Sequence, residues 1–206
     1  NGKIALNTIN TCMSPLFNLA ILVISIVVHE VSHGLAALWQ GDRTAQYEGR
    51  LTLNPIKHID PVGSILVPLF CALLPGSLMF GWAKPVPYNP YNLKNGRTSE
   101  FLVAFAGPLS NILIALLGAL AIRTFGSSLP DATLTILAAT ILINLVLALF
   151  NLVPLPPLDG SKILANILPY GASEKLNRFY VTYGLLATLF FIFFVWQMLD
   201  NLACLN

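Results

Sequence analysis

His29, Glu30 and His33 form an H-E-x-x-H motif inside an apolar stretch of the chain. On a helix, residues four positions apart lie on the same face, so the two imidazoles can bind one metal ion together. Two imidazoles on one face suit Zn²⁺, and the glutamate between them can act as the base toward the attacking water. The spacing therefore predicts a zinc-dependent hydrolytic site.

The apolar stretch that carries this motif is long enough to enter a lipid bilayer. Between Leu16 and Val28, Asn18 and Ser25 supply the only polar side chains. A helix needs about 20 predominantly apolar residues to cross the hydrocarbon core. A site that activates water at membrane depth indicates hydrolysis of peptides inside the lipid.

Composition places the whole chain in the membrane. Of its 206 residues, 56% are hydrophobic and 10% are charged, and the mean hydropathy is +0.74. Soluble domains carry about 25% charged residues, so we predict an all-α polytopic membrane protein. The three cysteines are scattered and predict neither a disulfide framework nor a cysteine metal site. The sequence contains no nucleic-acid motif and no evident cleavable signal, and we expect no nucleic-acid partner.

Hydropathy and turn residues predict one intramembrane domain over residues 1–206. Four membrane-spanning helices are predicted at 14–40, 99–123, 132–150 and 179–199. Within the region 41–98 we expect a short strand or hairpin near 46–53 and a re-entrant apolar segment, 62–80, because prolines and glycines interrupt the latter. Residues 151–168 are predicted to form a loop followed by a short helix.

Asp159 is the best candidate for a third metal ligand, because a catalytic zinc usually has three protein ligands. It follows a stiff, apolar, proline-rich turn and precedes Gly160. A carboxylate at membrane depth needs a partner, since an unpaired charge there is costly. The alternative is that Asp159 is a helix N-cap at the membrane surface.

Two motifs in this order resemble those of the site-2 proteases, which are intramembrane zinc metalloproteases. The matching motifs are H-E-x-x-H at residues 29–33 and N-x-x-P-x-x-x-L-D-G at residues 151–160, and residues 81–87 and 106–111 also look like the small members without PDZ or CBS domains. The resemblance implies one zinc ion per chain, held by His29, His33 and Asp159. It also implies that Glu30 is the general base and that Asn151 lies near the substrate or the oxyanion.

The positions of the motifs and of the basic residues predict the topology. His29 and Asp159 can share one ion only if the chain crosses the membrane an even number of times between them. The predicted helices 99–123 and 132–150 already supply two crossings, so segment 62–80 should not cross. The positive-inside rule then assigns the more basic side to the cytoplasm. That side would hold Arg43, Arg50, Lys57, Lys84, Lys94, Arg97, Lys162, Lys175 and Arg178. We expect a multi-pass protein whose active site opens toward the cytoplasm.

The expected partners are the lipid bilayer and single-pass membrane proteins as substrates. A substrate helix must unwind locally, because its carbonyl groups are otherwise occupied by its own hydrogen bonds. Leu51, Thr52 and Leu53 alternate in a short stretch that could pair with the unwound peptide by strand addition. Segment 62–80 is the alternative pairing site.

Two further polar residues, His58 and Asn111, each have more than one interpretation. His58 is an interfacial residue, a fourth ligand or a gating group. Asn111 makes an interhelical hydrogen bond or orients a group of the site. A membrane metal-binding protein or transporter and an inactive homologue are the alternative functions. The intact Glu30 argues against both. The sequence does not determine the oligomeric state.

Overall fold

The computed structural model describes residues 15–67, 69 and 83–203, and all regular secondary structure within them is helical. The α-helices are α1 (Pro15–Trp39), α2 (Thr44–Tyr47), α3 (Arg97–Phe125), α4 (Asp131–Asn151), α5 (Asp159–Ile167) and α6 (Tyr170–Ala203). Single turns of 3₁₀-helix lie at Pro55–His58 and Pro90–Asn92, and a π-helix lies at Pro61–Leu66. The predicted all-α class is therefore found.

Three of these helices, α1, α3 and α4, are long and apolar enough to cross a membrane. The predicted fourth span, 179–199, lies within α6, which is not one of these three in the part of the chain that the structure describes. Most of the predicted re-entrant segment, 62–80, lies outside the described residues. Multi-pass membrane insertion thus follows from three spans, because each is about as long as the hydrocarbon core requires.

The apolar and polar side chains of the spans are distributed as a bilayer demands. Leu117 on α3 and Leu149 on α4 are largely exposed, whereas Asn111 on α3 and Asn144 on α4 are completely buried. In water this arrangement would be unfavourable, but in lipid the polar groups must find partners inside the helix bundle. The interior of the bundle is therefore where hydrogen bonds position side chains.

Helix α3 is the central helix and packs against α1, α4 and α5. Its buried residues include Ala104, Gly107, Ala115 and Gly118. Successive members of this set are three or eight positions apart, so they share one face of the helix. Small residues on that face let neighbouring helices approach closely. Gly118 faces Ile141 of α4, and Gly107 faces α1.

The short strand or hairpin predicted near 46–53 is not formed. Helix α2 occupies the start of that region, and the chain then turns at Gly49, whose φ of +63° favours glycine. Beyond the turn, Leu51 packs against Gly34 of α1, and the carbonyl of Thr52 accepts a hydrogen bond from His58 Nε2 at 2.9 Å. The backbone folds onto α1 and onto itself, so no partner strand forms a ladder with it.

Residues 83–95 run as an extended segment and a 3₁₀ turn beside the end of α1. Asp42 accepts hydrogen bonds from Asn89 N at 2.8 Å and from Asn92 Nδ2 at 2.9 Å, and Lys94 N donates to Gln40 O at 2.9 Å. Burial acts to raise the pKa of Asp42, but the hydrogen bonds that it accepts outweigh burial and hold this pKa below its ordinary value. An ionised Asp42 therefore joins this segment to α1.

Candidate metal centre

Three predicted ligand atoms converge between α1 and α5. His29 Nε2 lies 3.1 Å from His33 Nε2 and 3.1 Å from Asp159 Oδ2, and His33 Nε2 lies 3.2 Å from the same carboxylate oxygen. The histidines are neighbours because they lie one turn apart on α1. Asp159 reaches them because α5, which begins at this residue, packs against α3.

A buried hydrogen-bond chain orients His29. Its Nδ1 lies 2.6 Å from Asn111 Oδ1, Asn111 Nδ2 donates to Asn144 Oδ1 at 2.8 Å, and Asn144 Nδ2 donates to Thr140 O at 2.8 Å and to Ser25 Oγ at 2.9 Å. A backbone carbonyl can only accept, so Thr140 O fixes the orientation of each amide along the chain. His29 Nδ1 must therefore carry the proton, and its Nε2 presents a lone pair to the site.

His33 reaches the same protonation pattern by another route. Its Nδ1–H donates to the carbonyl of Val103 on α3 at 2.7 Å. Gly107, one turn further along α3, leaves room for both rings, because a Cβ at this glycine would lie 2.4 Å from His33 Nε2 and 2.7 Å from His29 Cε1. Gly107 was not among the site residues predicted from the sequence. Its contact with both imidazoles was missed.

The donor set fits a zinc ion. When both rings are neutral and carry their proton on Nδ1, each Nε2 presents a lone pair. These two lone pairs and one carboxylate oxygen then face one another at 3.1–3.2 Å with no proton between them. A tetrahedral zinc with bonds of about 2.0–2.1 Å separates its ligand atoms by about 3.3 Å. A cation between these three atoms would therefore relieve their repulsion with little movement of the ligands.

Asp159 is held as a carboxylate and does not cap its helix. Burial would raise the pKa of Asp159, but hydrogen bonds from His29 and His33, which form when a ring also carries a proton on Nε2, outweigh burial and keep this pKa well below its ordinary value. The residue before the helix is Leu158, and no side chain forms a capping hydrogen bond there. The N-cap alternative for Asp159 thus has no support in the geometry.

Glu30 shares a cavity of about 130 Å³ with the three ligand residues. Its Oε2 accepts a hydrogen bond from Val86 N at 2.8 Å, so the extended segment 83–89 positions the carboxylate. Arg50 in turn fixes that segment, because its guanidinium donates to the carbonyl of Lys84 at 2.9 Å and also to that of Lys57. Arg50 and Val86 are functional residues that the sequence did not identify, since their contacts join distant parts of the chain.

Asn151 also lines this cavity, as the resemblance implied. One N–H of its amide donates to Leu147 O on its own helix at 3.0 Å. An amide nitrogen has two N–H groups, so the second remains for a substrate atom.

Other predicted site residues are placed elsewhere. Leu51, Thr52 and Leu53 are not among the residues that line the cavity. His58 is buried and donates from Nε2 to Thr52 O, and it is not part of the cluster of three potential ligands found in the described residues. Tyr88, which was not predicted as a site residue from the sequence, also lines the cavity.

The family model and the named relatives that match this chain agree on one family. Residues 118–195 match the model of peptidase family M50. The chain is 40% identical over 191 residues to YwhC of Bacillus subtilis, provisionally named a zinc metalloprotease, which covers 87% of this chain and 84% of that protein. Rip2 of Mycolicibacterium smegmatis, named in the same way, is 28% identical over 152 residues, or 74% of this chain and 54% of that protein.

A second Rip2, from Mycobacterium tuberculosis, is 29% identical over 143 residues, which are 67% of this chain and 52% of that protein. The chain therefore spans about half the length of the mycobacterial relatives and most of the length of the Bacillus one. No solved structure matches the chain.

Proposed function

Because this chain belongs to peptidase family M50, the site-2 proteases, and is a zinc metalloprotease, we propose that it cleaves peptide bonds within or near the transmembrane segments of other membrane proteins. Regulated intramembrane proteolysis is the process that this activity serves. The observation that carries the proposal is the convergence of His29, His33 and Asp159 in one cavity with Glu30, between apolar helices long enough to span a bilayer.

The ligands we assign are His29, His33 and Asp159. Zinc bound by them would supply a Lewis acid for the scissile carbonyl and lower the pKa of the attacking water. Glu30 accepts the proton of that water on its carboxylate and passes it to the leaving nitrogen. The hydrogen bond from Val86 N to Oε2 orients the carboxylate for this transfer. Asn151 donates its second N–H to the oxyanion that develops on the substrate.

The backbone of a substrate determines how it must bind. The carbonyls of an intact helix accept the hydrogen bonds of its own backbone. The scissile residues must therefore leave the helical form and bind in an extended form. Strand pairing with 51–53, expected from the sequence, has no support in this fold, because these residues form no strand.

The decisive experiment compares Glu30→Gln with Glu48→Gln in purified protein mixed with a single-pass substrate in detergent. Glu48 is exposed and distant in sequence from the cavity residues, so it is a matched control. We expect Glu30→Gln to retain zinc, measured by elemental analysis, and to lose cleavage by about a hundredfold or more, because proton transfer contributes about 10²–10⁴-fold. Normal turnover by Glu30→Gln would remove this residue from the mechanism.

The orientation that we propose places the active site toward the cytoplasm. Basic residues concentrate in the loops on the side of α1 where the ligands lie, and such residues favour the cytoplasmic side. Tyr91 is 97% exposed in one of these loops and Ser127 is exposed in the turn between α3 and α4. In a chain whose native cysteines are replaced, an impermeant maleimide should label Tyr91→Cys from the cytoplasmic side and Ser127→Cys from the other. The reverse pattern would overturn the orientation.

A further inference from the structure

Lys162 lies in the active site without a role in metal binding or proton transfer. It follows Asp159 by three positions on α5, and residues three apart on a helix are neighbours. Among the described residues that line the active-site cavity, Lys162 is the only lysine or arginine. The cavity therefore contains one permanent positive charge next to the three proposed ligands.

The ammonium group of Lys162 has no carboxylate partner among the described residues. The ion pairs found there involve His29, His33 and Arg178 as cations, not Lys162. Its Nζ instead lies 5.1 Å from the centroid of the Tyr88 ring, which packs against the buried cluster of Ala37, Leu93 and Val103. A cation–π contact occupies one side of an ammonium and leaves N–H donors for another acceptor.

Tyr88 does not neutralise this charge. Burial, opposed by the nearby Lys162 ammonium, raises the pKa of the Tyr88 phenol above its ordinary value. The phenol therefore stays neutral at physiological pH and offers no negative charge. The positive charge of Lys162 remains available to an anionic ligand.

Lys162 also lines a second, larger cavity of about 300 Å³ between α3, α5 and α6. Its walls expose polar and apolar atoms in similar amounts, and its polar residues include Arg97, Glu100, Glu174 and Asn177. Arg97 uses the two N–H groups of its Nη2 to donate to the carbonyls of Ala165 and Leu168, at 2.5 and 2.6 Å. Lys162 thus lines both cavities.

Peptide hydrolysis leaves a lasting negative charge only after the bond is broken, because the oxyanion formed on attack disappears when the C–N bond cleaves. The C–N bond of a neutral amide is cleaved, the oxygen of water joins the acyl carbon, and the departing nitrogen gains a proton. The acid that results loses its own proton, so the N-terminal fragment ends in a carboxylate. A lysine in the cavity therefore binds the product more tightly than the uncharged peptide bond of the substrate.

We propose that Lys162 forms a binding site for the new C-terminal carboxylate of the N-terminal product in the active-site cavity. This inference rests on the proposed proteolytic function.

The test measures binding of two peptides of identical sequence, one ending in a free carboxylate and the other in a carboxamide. Zinc-loaded Glu30→Gln protein serves as the background because it should not turn the peptides over. Adding Lys162→Met should reduce the preference for the carboxylate peptide by about tenfold or more, the size of a hydrogen bond to a charged group. Lys162→Arg should keep the preference, and Lys175→Met, which removes an exposed lysine of α6, should leave it unchanged.

Each outcome decides one question. An undiminished carboxylate preference in Lys162→Met, with zinc content equal to that of the background, would overturn the role of Lys162 and leave the protease assignment intact. Loss of the preference in both Lys162→Met and Lys162→Arg would also contradict it, since arginine retains the charge. If Lys162→Met fails to fold, Lys162→Gln provides a second neutral side chain. Failure of the proposed function would appear separately, as absence of cleavage by the wild-type chain.

Discussion

Two regions support the active site, and they do so by different means. His29 is held by side chains inside the bundle, through the chain of hydrogen bonds from His29 to Asn111 and Asn144. Glu30 is held by the backbone of the extended segment 83–89, which Arg50 secures from outside the spans. The first region is built from neutral polar side chains on three apolar helices, whereas the second depends on a charged side chain in a loop.

The difference follows from the surroundings of each region. Inside the bundle no water can replace a lost partner, so every amide must be satisfied by another protein group. Outside the spans, one charged side chain can bind several carbonyls of an irregular segment. We therefore expect damage to the first region to weaken metal binding and damage to the second to slow catalysis with the metal retained.

The larger effect is expected from Asn111→Leu. This substitution removes the acceptor of His29 Nδ1–H and leaves Asn144 Oδ1 without its donor in a fully buried position. Loss of a partner of a metal-binding histidine usually lowers metal affinity by about 10–100-fold. Competition with a chromogenic zinc chelator should show this loss, and cleavage should recover at high zinc.

Ser110→Ala is the matched control for that variant. Ser110 is the preceding residue of α3, and its hydroxyl donates to Gly107 O within the same helix rather than to the site. Its zinc affinity should equal that of the wild type. Equal affinity in Asn111→Leu as well would show that the hydrogen-bond chain does not support the metal ligands, and the contrast between the two regions would disappear.

A smaller effect is expected from Arg50→Met, on kcat rather than on zinc affinity. The loss of hydrogen bonds to the carbonyls of Lys57, Lys84 and Pro85 should loosen the segment that fixes Glu30. Misplacement of a catalytic group by about 1 Å can cost about a hundredfold in rate, and we expect about a tenfold fall in kcat. Zinc content, measured on the same preparation, should not change.

Arg43→Met provides the comparison for Arg50→Met, because Arg43 is exposed in the same loop. It should retain wild-type kcat and zinc. If Arg50→Met loses zinc to the same degree as Asn111→Leu, the two regions act as one unit, and the proposed separation of metal binding from proton transfer is wrong.

The sequence predicted most of the long helices and the residues that converge, but not the loops. Helices predicted at 99–123 and 132–150 occupy Arg97–Phe125 and Asp131–Asn151, because continuous apolar runs specify spans strongly. The hairpin near 46–53 was wrong, because a short alternation of apolar and polar residues does not form a strand without a partner. From the sequence, Asn111 was interpreted either as an interhelical hydrogen-bonding residue or as a residue that orients a group of the site. Both interpretations are confirmed, because Asn111 joins helices and orients His29.

The amino-acid sequence by itself determined the chemistry of this protein: a zinc-binding motif on an apolar helix, a distant aspartate after a proline-rich turn, and a composition suited to lipid. These features are local, so spacing and composition reveal them. Only the tertiary structure decided that Gly107 makes room for both imidazoles, that Val86 holds Glu30, and that Lys162 faces the site. Those contacts join residues far apart in the chain, and they arise from how the helices pack rather than from any pattern along the sequence.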